Sequence, residues 1–351
     1  MEPIIEQLED MSAREEQIKG FLNDSSWGNA RRVPLAGDAS NRRYERLTNA
    51  LDESAILMDA PPESNASNKA FVRIASHLRE IGLSAPIVLN ADQKKGLILL
   101  EDFGDNLLTE IIQSQPKNEV MLYESATDIL LQIGRNAAPN GLEHLTPALL
   151  SEMILPAFEW FAFGILGRLD DNKDAIVSSF QRALQITTNV TPVLSLRDYH
   201  AQNMIWLPDR TGIARVGLLD FQDAVLCHPA YDLVSLLQDA RRDVPIAVEK
   251  AMLTKFQSHV SENEAEFEAA YYALGAQRSL RILGIFARLS LQAGRPEYID
   301  FIPRVWNYLD RCLQHQSLTG LRETLLKNLP EPSTENLRNL REQCAKYPNP
   351  L

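Results

Sequence analysis

The order of apolar and polar positions predicts a strand-rich first part of the chain and a helical second part. Up to about residue 105, short apolar runs separated by turn residues are typical of strands, at 32–40, 43–47, 54–59, 85–89 and 96–104. Two helices are predicted in the same part, at 12–22 and 68–81. The first is indicated by Ser12 and Glu15, which have the spacing of a capping box.

After residue 105, apolar residues recur every three or four positions, which is typical of helices with one buried face. The predicted helices cover residues 119–137, 148–169, 175–186, 231–240, 245–258 and 264–293. Residues 330–351 include four prolines and are expected to follow the surface. We therefore predict three regions: an N-terminal helix (1–24), a small antiparallel sheet with one helix (25–104), and a larger, mainly helical region (105–351).

Composition and charge narrow the class of protein. With 351 residues, 45% of them apolar and 23% charged, the chain is typical of a soluble globular protein with two lobes. The net charge of −12 argues against nucleic-acid binding and against basic attachment to a membrane. The most apolar stretch, 153–167, contains Pro156 and Glu159 and is shorter than a spanning helix of about 20 residues, so we expect it to be buried. The acidic start and the three separated cysteines predict a reduced, cytoplasmic protein.

Two acids and an amide have the spacing that metal-assisted phosphoryl transfer requires. Asp198 is followed by Asn203 five residues later and by Asp220 seventeen residues after that. Phosphoryl transfer uses one carboxylate to orient the attacking hydroxyl, and other oxygen ligands to hold Mg²⁺ against the phosphates. The apolar residues 216–219 predict a hairpin that brings these side chains together. The spacing alone leaves open a buried hairpin that is merely flanked by polar residues.

Residues 196–207 (LRDYHAQNMIWL) and 216–233 (VGLLDFQDAVLCHPAYDL) resemble the aminoglycoside phosphotransferase and protein-kinase superfamily. The resemblance implies an α+β, protein-kinase-like fold with a small antiparallel N-lobe and a larger helical C-lobe. It also implies that Asp198 is the catalytic residue and that Asn203 and Asp220 are magnesium ligands.

Two further positions carry the same resemblance. His200 matches the second histidine of the catalytic loop in antibiotic and choline kinases, whereas Leu196 replaces the first. Asp232 matches an acid that begins a helix and accepts hydrogen bonds from the backbone of that loop. Its implied role is structural.

The resemblance also implies that the strand-rich region binds ATP. Ser40 and Asn41 would offer donors to the phosphates, and Glu101 lies where adenine would be held, mainly through backbone groups. Kinases have a Lys on the third strand, but Met58 stands at about that position here, and the next helix lacks a suitably placed acid. Arg43 is the first candidate to replace the Lys. A kinase fold without activity is the alternative.

The motifs GDASNRRYERL, AILMDAPPE and HPAYDLVSLLQDARRD resemble one branch of the superfamily in particular. That branch contains the anomeric sugar kinases of bacterial cell-wall recycling, which phosphorylate N-acetylmuramate and N-acetylglucosamine at the C1 hydroxyl. The resemblance covers residues from about 12 to 308 and implies a small sugar as the acceptor. Met in place of Lys also belongs to that branch, which weakens the inactive alternative.

The acceptor site is less well defined by sequence. N-acetylmuramate carries a lactyl carboxylate, which Arg binds through a bidentate fork. Arg241 and Arg278 are therefore candidates for substrate binding, with Asp223 as a weaker one, and exposed charges or structural ion pairs are the alternative. A cationic acceptor such as an aminoglycoside or choline stays open, since acids and aromatics could form a cage. Its residues would be Glu152, Glu159, Trp160 and Phe161. A monomer is expected, although sequence leaves the oligomeric state open.

Overall fold

The computed structural model describes residues 2–35, 42–60, 65–168, 172–260 and 263–347. Its helices are α1 (Glu2–Asn23), α2 (Asn65–Glu80), α3 (Leu108–Ser114), α4 (Glu119–Gly134), α5 (Pro147–Glu152), α6 (Phe163–Leu166), α7 (Lys173–Ala183), α8 (Ala230–Leu237), α9 (Ile246–Val260), α10 (Glu264–Leu291), α11 (Ile302–Leu313), α12 (Thr319–Asn328) and α13 (Thr334–Glu342). Its strands are β1 (Arg31–Pro34), β2 (Arg43–Thr48), β3 (Ser54–Asp59), β4 (Val88–Asp92), β5 (Leu97–Glu101), β6 (Val193–Ser195), β7 (Met204–Trp206), β8 (Val216–Leu218) and β9 (Val225–Cys227).

The chain divides into two compact units, which are built differently. Unit 1 comprises Met1–Pro116 and Gln202–Ala224, and unit 2 comprises Lys117–Ala201 and Val225–Leu351. Unit 1 contains an antiparallel sheet, and unit 2 is mainly helical. This architecture confirms the predicted kinase-like fold class, including the order of three strands, a helix and two strands.

The sheet of unit 1 has the strand order β1-β2-β3-β5-β4. Leu47 of β2 and Leu57 of β3 pack in one apolar cluster with Phe21 of α1, which defines the α1 face of the sheet. Side chains alternate along a strand, so Tyr44 and Met58, which are partners in the register, point to the opposite face.

A second hairpin in unit 1 is formed by β7 and β8. It packs against Phe103, which forms an apolar cluster with Ile205 and Leu207. Gly217 of β8 is required by this packing, because a Cβ there would come within 2.6 Å of the Phe103 ring. The hairpin prediction over residues 216–219 is confirmed.

Unit 2 is organised around the long helix α10, which is buried along most of its length. This helix packs against α8, α11 and a π-helical turn at Ala157–Ala162. The short strands β6 and β9 pair in antiparallel register, with Val193 opposite Cys227. Their pairing brings the chain after β6 beside the first turn of α8.

Two sequence predictions on helices are corrected. The continuous helix over 148–169 is wrong, because α5 ends at Glu152 and a π-helical turn precedes α6. Pro156 lacks the N–H that an uninterrupted helix needs. The capping box at Ser12 is also wrong, since α1 begins at Glu2 and Ser12 lies in its interior. Within the proline-containing end of the chain, Thr334–Glu342 forms α13.

One described segment, Pro147–Leu166, has the length and hydropathy of a membrane-spanning helix. It is divided between α5, the π-helical turn and α6, and half of it is buried inside the structure. Phe161 is fully buried and packs against Trp306 with ring centroids 6.1 Å apart. These contacts favour a core segment of unit 2, as the sequence predicts.

Candidate active site

The loop that carries Asp198 follows β6 in unit 2 and is held by one buried carboxylate of α8. Asp232 accepts hydrogen bonds from the Ser195 hydroxyl (2.6 Å), the Leu196 N–H (2.6 Å) and the Arg197 N–H (3.0 Å). Burial raises the pKa of Asp232, and these hydrogen bonds oppose the rise. The expected structural role of Asp232 is confirmed.

Arg197 has a left-handed backbone conformation, with φ of +68°. Such a conformation costs an ordinary residue about 1–2 kcal/mol, so contacts from neighbouring helices must maintain it. The Arg197 carbonyl accepts hydrogen bonds from the Ser235 hydroxyl (3.1 Å) and from Arg278 Nη1 (3.0 Å). Helices α8 and α10 therefore impose the conformation of the residue that precedes Asp198.

Asp198 lies among cationic side chains. Its side chain is 42% exposed, and Arg278 Nη2 lies 3.9 Å from Oδ1. Burial acts to raise the pKa of Asp198, but positive charges outweigh it and the pKa is lowered. Among the arginines, Arg278 has the largest effect, followed by Arg281 and Arg197. Asp198 is therefore an ionised carboxylate at neutral pH, which can accept a hydrogen bond from a hydroxyl.

His200 and Arg241 lie together in the same unit. His200 is buried, which lowers its pKa to about 4 and keeps the ring neutral. Arg241 Nη1 lies 3.2 Å from His200 Nε2. Because a guanidinium can only donate, Nε2 is the acceptor and the ring proton is on Nδ1. The structure thus places both predicted substrate residues, Arg241 and Arg278, beside the catalytic loop, and their binding roles stay predictions.

Asn203 and Asp220 are neighbours in unit 1, because Asn203 immediately precedes β7 and Asp220 follows β8 at the open end of the hairpin. The Leu219 N–H donates to the Asn203 carbonyl (3.0 Å), and Asn203 Nδ2 lies 3.5 Å from Asp220 Oδ2. Asp220 has a φ of +57° and accepts a hydrogen bond from Gln222 Nε2 at 2.7 Å. The left-handed backbone at Asp220 is a strained position within unit 1, at one of the two predicted magnesium ligands.

The residue after Asp220 anchors this segment. Phe221 is fully buried and stacks on Phe71 of α2, with ring centroids 4.8 Å apart. This stacking fixes the chain next to Asp220 in the core of unit 1. Asp223, two residues beyond, is exposed, and its proposed contact with the substrate stays a prediction.

The donor set at the hairpin suits magnesium. In the part of the chain that the structure describes, no three His, Cys, Asp or Glu side chains are arranged to hold a metal. Magnesium does not require such a cage, since it commonly takes one or two protein oxygens, several waters and substrate phosphates. The carboxylate of Asp220 and the amide oxygen of Asn203 fit this preference, and their metal role stays a prediction.

The predicted phosphate residues fall in different places. Ser40 and Asn41 lie outside the described residues. Arg43 is 67% exposed, and its Nη2 lies 3.2 Å from Asp59 Oδ2. Arg14 of α1 donates to the same carboxylate at 3.0 Å. Arg43 therefore lies on the α1 face of the sheet, paired to a buried acid.

Arg42, which the sequence analysis did not select, lies on the opposite side. It is buried and hydrogen bonds the Tyr44 side chain. Burial is the largest cause that raises the pKa of Tyr44, Arg42 opposes the rise, and the charge of Asp220 adds to it. A buried cation thus lies near Asp220 on the face that also carries Met58. The alternation of side chains along β2 would have identified Arg42 if the register of β2 against β3 had been known.

Glu101 has partners within unit 1. Its carboxylate forms an ion pair with Arg210 and accepts a hydrogen bond from the Ile87 N–H at 3.2 Å. Arg210 also lies over the Phe103 ring, 5.0 Å from its centroid. The side chain of Glu101 is thus occupied in holding the hairpin to the sheet, and its N–H donates to the Ile87 carbonyl at 2.9 Å. Its role in adenine binding stays a prediction.

The alternative cationic cage is not formed by the residues that the sequence suggested. Trp160 and Phe161 are buried in the core of unit 2, with 5% and 0% of their surface exposed. Glu159 lies 3.8 Å from Lys173 in an ion pair, and Glu152 is exposed. These aromatic side chains are therefore packing residues.

The fold and the motif residues together define a phosphotransferase of the protein-kinase-like class. The model of the "Phosphotransferase enzyme family" (APH) matches residues 31–270, and the chain belongs to this family. The solved choline/ethanolamine kinase family protein of Mesorhizobium loti has a TM-score of 0.59 at 13% identity, over 94% of this chain and 99% of that one. Aminoglycoside phosphotransferase APH(2'')-Ib, solved with ADP, has a TM-score of 0.54 at 14% identity, over 94% and 98%.

Two curated relatives are more similar in sequence to this chain than the two solved structures above. The chain is 39% identical to the N-acetylmuramate/N-acetylglucosamine kinase of Caulobacter vibrioides, over 91% of this chain and 98% of the relative. It is 31% identical to the protein of the same name in Pseudomonas putida, over 85% and 89%. The resemblance to this branch, inferred from the motifs, is confirmed.

Proposed function

We propose that this chain is an ATP-dependent kinase that phosphorylates the anomeric hydroxyl of N-acetylmuramate and N-acetylglucosamine in peptidoglycan recycling. The curated relatives support the acceptor, because they carry that name and match most of the chain. The observation that carries the chemistry is Asp198, an ionised carboxylate on a loop held by three hydrogen bonds to Asp232. Such a group is suited to orienting a hydroxyl for phosphoryl transfer.

In the proposed reaction, Asp198 accepts the proton of the anomeric hydroxyl while that oxygen bonds to the γ-phosphorus of ATP. The bond from the γ-phosphorus to its bridging oxygen breaks, ADP leaves, and the proton passes from Asp198 to solvent. Asn203 and Asp220 would hold Mg²⁺, which would supply positive charge to neutralise the phosphates. Arg278 keeps Asp198 ionised and fixes the loop through the Arg197 carbonyl.

Arg42 takes the place of the missing strand-three Lys in this proposal. It is buried, it contacts Tyr44, and it lies on the same side of the sheet as Met58 and near Asp220. Arg43 is less suitable, because the register and its pair with Asp59 put it on the α1 face. A guanidinium offers phosphate several charge-assisted hydrogen bonds, each contributing about 1.5–3 kcal/mol.

Nucleotide titration tests this choice of arginine without catalysis. Arg42→Met should weaken ADP binding by about 10- to 100-fold while leaving adenosine binding within about threefold, because adenosine lacks phosphates. Arg42→Lys should restore part of the affinity. The exposed Arg31 of β1 supplies the control, Arg31→Met. If Arg43→Met weakens ADP binding and Arg42→Met does not, Arg43 is the phosphate residue instead.

Phosphorus NMR tests the function itself. Purified protein with ATP, Mg²⁺ and either sugar should produce a sugar 1-phosphate resonance, which identifies both the reaction and the attacked hydroxyl. Asp198→Asn and Asp220→Asn should each reduce turnover by at least about 1000-fold with unchanged folding, since each group acts directly on the transferring phosphoryl. Asp209→Asn, at an exposed position in the β7–β8 connection, is the control.

Two outcomes would contradict the proposal. Turnover of amines such as choline or an aminoglycoside, without turnover of N-acetyl sugars, would reassign the acceptor. Nucleotide binding without any product would indicate a protein that binds ATP but transfers nothing. A cytoplasmic monomer is our expectation, and size-exclusion chromatography with light scattering tests the oligomeric state.

A further inference from the structure

Helix α10 presents two arginines to the region of the catalytic loop. Arg278 and Arg281 are three residues apart, so they lie on one side of the helix, separated by about 4.5 Å along its axis. Arg278 is buried, with its guanidinium on the Arg197 carbonyl and 3.9 Å from Asp198. It also lies over the Tyr231 ring, 5.9 Å from the centroid. Arg281 continues this row by one helical turn.

The arginines of this region differ in their partners. Arg278 binds the loop, Arg241 contacts His200, and Arg242 forms an ion pair with Glu119. Arg281 is partly buried, yet within the described residues it forms no hydrogen bond and no ion pair. Burying a cation without a counter-charge is unfavourable. Arg281 is therefore a cation whose surroundings suit an added anion.

The electrostatic surroundings of Arg281 agree with this. Burial is the largest cause that lowers the pKa of Arg281, and the like charges of Arg197 and Arg278 lower it further. Asp198 acts in the opposite direction but is already beside Arg278. An arginine stays protonated at neutral pH despite such a shift, so the positive charge remains available to a ligand.

We propose that Arg281 binds the lactyl carboxylate of N-acetylmuramate when the anomeric hydroxyl of the sugar lies at Asp198. The inference rests on the proposed function and extends it to substrate specificity. The charge of Arg281 acts on Asp198, so its guanidinium lies in the neighbourhood of the carboxylate at which the anomeric hydroxyl would be placed. The planar fork of Arg complements a carboxylate. Arg241 and Arg278, the candidates from sequence, are committed to His200 and to the loop.

The two sugars provide an internal control, because N-acetylglucosamine lacks the lactyl group. Arg281→Gln should lower kcat/KM for N-acetylmuramate by about 10- to 100-fold, mainly through KM, and should change kcat/KM for N-acetylglucosamine less than about threefold. Arg281→Lys, which retains the charge but loses the fork, should fall between Arg281→Gln and the unmodified protein. Arg288→Gln, at an exposed position two turns further along α10, should change neither value.

The outcomes separate this inference from the proposed function. If the unmodified protein phosphorylates neither sugar, the proposed function fails. If it phosphorylates both and Arg281→Gln lowers the two values equally, Arg281 acts through Asp198 or through folding, and the inference is overturned. Unchanged values for both sugars also overturn it. Where Arg281→Gln unfolds in a thermal melt, the ratio of the two substrates in Arg281→Lys decides, since a folding defect affects both sugars alike.

Discussion

Replacing Asp232 perturbs the catalytic loop without touching Asp198. In Asp232→Ala, the Leu196 N–H and the Ser195 hydroxyl, both in buried residues, lose their acceptor. Each orphaned buried donor costs about 1–3 kcal/mol, and removal of a desolvated carboxylate returns part of this, so we expect a net loss of about 3 kcal/mol. The left-handed Arg197 loses one of its restraints as well. A shift of Asp198 by about 1 Å would lower kcat roughly 100-fold.

Asp232→Asn should be milder, for a geometric reason. With its amide oxygen at the position of Oδ2, Asn still accepts from the Leu196 N–H, and its NH₂ can donate to the Ser195 hydroxyl. The Arg197 N–H, in a less buried residue, loses its acceptor, and the Ser195 hydroxyl proton must turn to another one. We therefore expect a loss of about 1 kcal/mol and a decrease of kcat of no more than about tenfold.

Urea unfolding and steady-state kinetics measure both effects. Glu249 provides the matched control, because it is a buried acid of unit 2 that accepts hydrogen bonds from Tyr271 (2.9 Å) and Arg311 (2.6 Å) away from the loop. Glu249→Ala should lower the unfolding midpoint comparably while kcat of the folded fraction is retained. The reasoning would be refuted if Asp232→Asn were as unstable as Asp232→Ala, or if Asp232→Ala retained full kcat.

Two further predictions concern stability. His200 and His228 are buried with a pKa of about 4, so between about pH 6.5 and pH 4 the unfolded chain binds more protons at these residues than the folded one. Their contribution to stability is therefore lost as pH falls through this window, by about 1.4 kcal/mol per pH unit for each histidine. In His228→Asn, which keeps an acceptor for the Ala230 N–H, the melting temperature should depend less steeply on pH. Unchanged pH dependence would contradict this. Gly284→Ala should destabilise by about 2 kcal/mol or more, since its Cβ would overlap the Pro156 carbonyl, whereas Gly20→Ala in open space should stabilise slightly, and chemical unfolding of both variants compares them.

Local sequence patterns predicted most of the strands and helices correctly. Alternating residues in strands and three- to four-residue spacing in helices reflect burial on one side of a local element, so sheet and helices could be predicted from sequence. The prediction of a continuous helix over 148–169 was wrong because apolar residues indicate burial without specifying which buried conformation the backbone adopts. Its interruption depends on Pro156 and on the close approach of Gly284 from α10, more than 120 residues later in the sequence.

The candidate site was predictable to the extent that its residues lie on one hairpin. Asn203 and Asp220 are brought together by β7 and β8, whose apolar residues show the pairing in advance. The sequence suggests Arg43 as the cation for the phosphates, but it does not show which of the two adjacent arginines faces α1. That choice depends on the register of β2 against β3, which places Arg43 opposite Asp59.

The sequence by itself determined the family, the candidate catalytic motif and the structural role of Asp232, because each depends on residue types at short, defined spacing. Only the tertiary structure decided which cations are already occupied. Arg241 contacts His200, and Arg278 holds the loop, whereas Arg281 forms no hydrogen bond or ion pair among the described residues. The physical reason is that the availability of a cationic side chain to a ligand depends on the groups it already contacts, and these groups come from helices and loops that are distant in sequence.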